Sequence, residues 1–201
     1  MMLFREQDFL NYLSLNDYRK AIQLALAMEQ PGRLFSLFKN IRSESASESS
    51  ITGHRSVDEV IRTLGGSDLA KLLRYVRDWN ANAKTSGVAQ GVLFAVVKLR
   101  SADDVMKAFG DEVGEAAFAR GEVFDQKAMG AGGAGGTALK ELMDALIPYT
   151  ERHLSRMERL VQESYMVDYI LSEMDDGMFD GELADYDVDG TDTETGIGIL
   201  V

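Results

Sequence analysis

Cysteine is absent from this chain of 201 residues, and proline occurs only twice. The lack of cysteine excludes disulfides and thiolate metal ligands. Because Pro31 suits the first position of a helix and Pro148 stands alone, most of the sequence is free to form long helices. Long apolar runs are also missing, since the most apolar one, residues 92–97, ends at Lys98 and is too short to cross a bilayer. The sequence therefore predicts no membrane-spanning segment.

Basic residues are missing from the C-terminal end of the chain. From Glu173 onward there are ten acidic residues and no Lys or Arg. Subtracting these ten from the 33 acidic residues leaves 23 against 21 basic ones, so residues 1–172 carry a net charge of −2 while the whole chain carries −12. Acidic segments without apolar periodicity bury too little surface to fold. We predict a folded domain over residues 1–174 and a disordered acidic tail over 175–201.

Helical periodicity dominates the remaining sequence. The clearest amphipathic helix has apolar residues at i, i+3 and i+4 spacing, namely Leu69, Leu72, Leu73, Val76 and Trp79. No pair of strand-like runs with a hairpin turn between them is present. The predicted class is all-α, either an antiparallel helical bundle or a short helical solenoid, and no fixed-period repeat decides between the two.

Helix start and stop signals divide this region into successive helices. Asp17 is predicted to cap the second helix, and Ser67 or Asp68 the fifth. Ser101 is predicted to cap a short helix that ends near Phe109. After residues 110–136, a further helix is predicted to begin and to continue to about residue 174, with a kink or restart at Pro148.

Two stretches interrupt the helical pattern. Residues 43–53 interleave five serines with two glutamates, which predicts a flexible loop and a candidate phosphorylation site. Residues 110–136 end in a tract that is almost entirely Gly and Ala, which predicts a flexible Gly-rich insertion. Both are interpreted as additions to the helical domain.

Two formal motif matches lack the context that their chemistry needs. The Gly-rich stretch 130–135 fits a dinucleotide-binding pattern, but no buried strand leads into it. Residues 185–190 match the first half of a calcium-binding EF-hand loop, but position 12 of that loop is Gly196, and Glu194 comes two residues too early. We interpret the first stretch as a linker and keep a calcium-responsive acidic protein only as an alternative.

Catalytic constellations are absent from the sequence. His54 and His153 are the only histidines, and neither has a partner at metal-ligand spacing. His153 is interpreted as a helix-surface or interface residue. No nucleophile elbow, Walker loop or zinc-protease motif is found. We therefore predict that the domain is not an enzyme and has no cofactor, no metal and no small-molecule substrate.

Basic residues concentrate between positions 62 and 100. Seven Lys or Arg and two Asp give this segment a net charge of +5. Such a segment could contact RNA phosphates through Arg74, Arg77 and Lys84. The simpler interpretation is that these residues lie on the solvated faces of amphipathic helices, because charge alone is weak evidence for nucleic-acid binding. An RNA-contacting helical module is the alternative function.

The most unusual apolar stretch lies at the end of the helical region. Seven of the ten residues from 165 to 174, here called the apolar segment, are large and hydrophobic: Tyr165, Met166, Val167, Tyr169, Ile170, Leu171 and Met174. A helix that is apolar on nearly every side must be covered on every side. Burial in the core of this domain is one interpretation. The favoured interpretation is that these seven residues form a protein interface, because large apolar patches mark such surfaces.

Two longer stretches resemble a known family. Residues 73–90, LRYVRDWNANAKTSGVAQ, and 146–156, LIPYTERHLSR, together with 18–26 and 169–171, are similar to the helical C-terminal domains of the tandem WD-repeat (transducin-β-like) subunits of UTP-B, a subcomplex of the small-subunit processome. The resemblance covers most of residues 8–174. It assigns nothing to the Gly-rich insertion or the acidic tail.

The resemblance implies a function. It implies that WD-repeat propellers precede these residues in the full-length protein, and that the protein acts in the nucleolus in small ribosomal subunit assembly and pre-rRNA processing. The implied partners are the helical C-terminal domains of paralogous WD-repeat subunits, with indirect association to pre-rRNA and the U-three small nucleolar RNA. We therefore predict a non-catalytic assembly domain that joins subunits of UTP-B.

Overall fold

A computed structural model describes residues 2–44, 50–121 and 133–179, with side chains over 6–42, 50–121 and 133–174. The chain divides into two units, Met1–Ser155 and Arg156–Val201. The described residues form eight helices and no strand, which confirms the all-α prediction. The helices are α1 (Met2–Ser14), α2 (Tyr18–Ala27), α3 (Pro31–Glu44), α4 (Arg55–Thr63), α5 (Ser67–Asn80), α6 (Ser86–Leu99), α7 (Ala102–Ala119) and α8 (Ala134–Phe179).

Helix starts follow the local signals in the sequence, with exceptions at α5 and α8. The Asp17 side chain accepts a hydrogen bond from the backbone N–H of Lys20, and Ser101 forms a reciprocal capping box with Asp104, so both predicted caps are confirmed. The start of α5 differs, because Gly66 is its N-cap, with a φ of 57° in the left-handed region that favours glycine. The prediction of Ser67 or Asp68 as the cap is therefore wrong.

The first unit is organised around α5, which contacts α2, α6 and α7. Helices three elements apart along the chain are also in contact: α2 contacts α5, and α3 contacts α6. One continuous apolar cluster fills the space between them. These contacts favour a bundle over a solenoid, in which each repeat contacts only its neighbours. The largest side chains with almost no exposure include Ile22, Leu26, Leu34, Ile61, Leu69, Leu72 and Phe109.

Helix α7 corrects the predicted Gly-rich insertion. The helix does not end near Phe109 but continues to Ala119, so residues 110–119 are helical. Phe109, Gly110 and Ala117 are buried in it, and burial of this face offsets the low helix propensity of glycine. At the other end, α8 begins at Ala134, before the predicted start. Residues 122–132 of the predicted insertion lie outside the described residues.

Glycine has a packing role where α7 meets the start of α8. A Cβ atom placed on Gly135 would lie 2.8 Å from the backbone nitrogen of Gly110 and 2.9 Å from its Cα atom. Backbone atoms cannot move away as the end of a flexible side chain can. The last residues of the predicted linker therefore include a close contact between two helices.

Substituting Gly135 by Ala should lower the free energy of unfolding by about 1–3 kcal/mol, because the added methyl group overlaps the Gly110 backbone. The matched control is Gly32→Ala in the first turn of α3, where a new Cβ meets nothing within 4 Å. The control should be neutral or stabilise by about 0.4–1 kcal/mol. Urea unfolding curves measure both variants, and equal curves for the two would contradict the close contact.

The predicted Ser-rich loop is anchored at its C-terminal end. The carboxylate of Asp58 in α4 accepts hydrogen bonds from the Ser50 hydroxyl at 2.9 Å, the Thr52 hydroxyl at 2.6 Å and the backbone N–H groups of Ile51 and Thr52, both at 2.9 Å. Burial alone would raise the pKa of Asp58, but these hydrogen bonds outweigh it and hold the pKa below its usual value. Residues 45–49, with most of the candidate phosphorylation site, lie outside the described residues.

Helix α8 is longer than the sequence predicted. Pro148 lies inside it, and the helix neither ends nor restarts there. It also continues to Phe179, so residues 175–179 are helical and do not belong to the predicted disordered tail. Extending an existing helix costs far less than nucleating one, which accounts for this extra turn. Residues 180–201 lie outside the described residues.

Among the described helices, none combines the length and the apolarity needed to cross a membrane.

Candidate protein-interface site

The seven predicted interface residues are all exposed on α8. Their exposed fractions range from 53% at Ile170 to 71% at Tyr165. Because the second unit begins at Arg156, the whole apolar segment belongs to that unit. Seven large apolar side chains, each more than half exposed within ten residues, form a surface that soluble domains rarely leave uncovered.

The exposed apolar surface begins earlier than the sequence predicted. Met157, Leu160 and Val161 precede the apolar segment on the same helix, and each is about half exposed or more. Composition alone does not identify these three residues, because charged and amide residues lie between them and the apolar segment. Their i, i+3 and i+4 spacing was the available signal. Including them lengthens the candidate interface to residues 157–174.

The three basic residues proposed to contact RNA have different surroundings. Arg74 of α5 donates from Nε and Nη2 to the Glu112 carboxylate of α7 at 2.8–3.1 Å, and its guanidinium lies 5.7 Å from the Phe109 ring centroid. The hydrogen bond to Glu112 raises the pKa of Arg74. Arg77 pairs with Asp78 at 2.8 Å. Lys84 is exposed in the turn after α5.

Intramolecular pairing therefore reduces the charge that two of these residues present to a phosphate backbone. The bidentate pair of Arg74 also joins α5 to α7, a structural role that is independent of any nucleic acid. This favours the interpretation of the basic segment as helix faces. The RNA contact stays a hypothesis.

A polar network centred on one buried asparagine connects α5, α6 and α8. The Asn80 side chain is fully buried, and its Nδ2 donates to the Thr150 hydroxyl oxygen at 3.1 Å and the Leu146 carbonyl at 3.4 Å. Its Oδ1 accepts from Gln90 Nε2 at 2.8 Å. His153 Nε2 lies 2.7 Å from the Asn80 carbonyl oxygen, so this nitrogen carries the proton and donates.

The network has a structural rather than a catalytic geometry. Every polar group of the Asn80 side chain has a partner, as a buried amide requires. His153 donates to a backbone carbonyl, so this ring nitrogen is engaged in holding two helices together. The arrangement fixes the first part of α8 against α5 and α6. Sequence reasoning missed it, although all four residues lie in the two stretches that carry the family resemblance.

Metal chemistry finds no support in the described part of the chain, where no group of three or more His, Asp or Glu residues could hold an ion. The EF-hand-like stretch and residues 130–132 of the dinucleotide-like pattern lie outside it. Of the latter pattern, Ala134 and Gly135 are the first residues of α8.

Together, these features define an all-α domain whose last helix combines a buried polar anchor with an exposed apolar stretch. The family model for the Utp13 specific WD40 associated domain matches residues 6–174. The chain belongs to this family, and the resemblance predicted from the sequence is confirmed.

Relatives from yeast and from mammals match most of the chain. The chain is 29% identical over 178 residues to "U3 small nucleolar RNA-associated protein 13" of Saccharomyces cerevisiae, a match covering 85% of this chain and 18% of the relative. It is 21% identical over 170 residues to "Transducin beta-like protein 3" of Bos taurus and of Homo sapiens, covering 85% of this chain and 17% of each relative. The chain thus spans less than a fifth of the length of these relatives.

Proposed function

We propose that this chain is a non-catalytic protein–protein assembly domain of a ribosome-biogenesis factor, and that it joins WD-repeat subunits of UTP-B in the small-subunit processome. The observation that carries the proposal is the exposed apolar surface at residues 157–174 of α8. The name of the yeast relative, a U3 small nucleolar RNA-associated protein, supports the proposed cellular context. The proposed location is the nucleolus, with indirect association to pre-rRNA and U3 RNA.

The energetics of the apolar segment suit a stable complex. Burying one large apolar side chain that was exposed contributes about 1.5–3 kcal/mol. The segment offers seven such side chains, and association itself costs about 4–15 kcal/mol in lost freedom of motion. Because apolar residues occur on several sides of the helix, a single flat surface would leave some exposed. The proposed partners therefore enclose the helix with more than one element, as the helical domains of paralogous subunits would.

Light scattering of the chain, alone and mixed with the helical C-terminal domains of the other WD-repeat subunits, tests this proposal. A stoichiometric complex that persists at high salt is the expected result, since apolar docking is not weakened by salt. Phosphate contacts weaken steeply with salt. A chain that ignores every partner domain but binds RNA in a salt-sensitive manner would overturn the proposal in favour of the basic segment.

A further inference from the structure

The exposed surface of α8 contains a regular seam. Six positions follow one another at alternating spacings of three and four residues, which is the pattern of the core of a coiled coil. Five of the six are exposed apolar residues, and the sixth is a small polar one: Met157, Leu160, Ser164, Val167, Leu171 and Met174. We call these six residues the seam. Such a seam fits a partner that presents a helix with the same periodicity.

The charges beside the middle of the seam are acidic. Glu163 directly precedes Ser164 on one side, and Asp168 directly follows Val167 on the other, so the two acids occupy the positions that flank a coiled-coil core. The other two flanking positions near the middle hold the apolar residues Val161 and Ile170. Both acids are exposed and can meet charges on a partner helix.

An existing ion pair does not remove this acidic character. Glu163 Oε1 lies 3.4 Å from Arg159 Nε within the same helix, and the two side chains are 61% and 71% exposed. Exposed ion pairs of this kind contribute little and are readily exchanged. A basic residue brought beside the seam by a partner can therefore compete for the Glu163 carboxylate.

A second copy of this chain, aligned in parallel, is a poor occupant of the seam. In a parallel coiled coil, the flanking position that precedes the first core residue of a heptad faces a flanking position of the partner helix. That position lies five residues later in the sequence. Glu163 of each copy would then face Asp168 of the other, which places two pairs of like charges beside the core. Like-charge pairs at flanking positions are a common means of excluding wrong partners.

We propose that the seam binds an amphipathic helix of a different chain that carries Lys or Arg opposite both Glu163 and Asp168. This inference rests on the proposed function and adds the chemistry of the partner to it. The apolar seam contributes most of the affinity. The two acids contribute selectivity, against a second copy and against helices with acidic flanks, because charge complementarity acts mainly on specificity and association rate.

Two synthetic helical peptides with identical apolar seams, one flanked by lysines and one by glutamates, test the inference by fluorescence anisotropy with the full chain. At low salt the lysine-flanked peptide should bind about tenfold or more tightly than the other, and the difference should shrink at high salt. The double variant Glu163→Lys/Asp168→Lys should reverse the preference. The control Glu158→Lys/Glu173→Lys changes the net charge equally but away from the seam, and it should keep the preference of the unaltered chain.

Equal affinities, a preference for glutamate flanks or no binding of the lysine-flanked peptide would overturn the inference. Light scattering adds an independent test, because Glu163→Lys alone makes the seam self-complementary and should produce a dimer that the unaltered chain does not form. A dimer of the unaltered chain through the seam would also overturn it. If paralogous domains still form a salt-resistant complex while both peptides bind equally, the proposed function stands. Only the requirement for basic residues on the partner helix then fails.

Discussion

Replacing Ile170 and Leu171 together by Asp is expected to abolish binding of the chain to the proposed partner subunits. The two side chains are 53% and 58% exposed in the free chain, so the substitutions do not disturb a core. In a complex, the new carboxylates would be buried without partners, which costs several kcal/mol in addition to the lost apolar contacts. We expect affinity to fall at least about a hundredfold, measured by co-purification and light scattering.

A matched variant separates loss of apolar contact from added charge. Thr137→Asp/Ser155→Asp introduces the same two charges at exposed positions of the same helix that lie outside the candidate interface at residues 157–174. Its affinity for partner subunits should stay within about threefold of the unaltered chain. Circular dichroism should give the same helix content for both double variants. Co-purification of the Ile170→Asp/Leu171→Asp chain at unaltered yield would contradict the assembly proposal.

Local physics was sufficient to predict most helices. The apolar spacing from Leu69 to Trp79 predicted α5, and the side chains concerned are buried in the structure. Ser101 predicted the start of α7, because a capping hydroxyl acts on an N–H group only three residues away. All the residues that take part in such a local signal lie close together in the sequence. The neighbouring residues alone are therefore enough to predict the helix.

Nonlocal packing explains what the sequence did not predict. Gly110 has a low helix propensity, yet it lies inside α7 where Gly135 approaches its backbone. Asn80 at the end of a helix suggests a turn residue, but its partner Thr150 lies 70 positions away. Neither contact can be inferred from the neighbours of the residue, because the second half of each pair is brought close only by the fold.

The candidate interface was only partly predictable for the same reason. The density of apolar residues from Tyr165 to Met174 was visible in the sequence, whereas their exposure is a property of the fold. A fully apolar helix can equally be a buried core helix. The structure distinguishes the two, since Leu142 and Leu146 in the earlier part of α8 are buried and the later residues are exposed.

Asn80→Asp is expected to be among the most destabilising single substitutions in the domain. The shape of the side chain is conserved, but the new oxygen cannot donate to Thr150 or to the Leu146 carbonyl, and the carboxylate is buried as Asn80 is. Near neutral pH the loss should reach about 3–5 kcal/mol of unfolding free energy. Burial raises the pKa of the introduced carboxyl in the folded state, so the loss should be smallest in acid, grow as pH rises above its unfolded value of about 3.9 and level off above the folded value.

Asn82→Asp is the matched control for this prediction. Asn82 lies two residues further on, is exposed, and uses its side-chain oxygen to accept a hydrogen bond from the Lys84 backbone N–H at 3.0 Å, a role that a carboxylate keeps. Its unfolding free energy should therefore change by no more than about 0.5 kcal/mol at any pH where the unaltered chain is folded. Urea unfolding at several pH values compares the two variants directly. If Asn80→Asp unfolds at the same urea concentration as Asn82→Asp, then the amide of Asn80 does not hold α8 against α5 and α6 in solution.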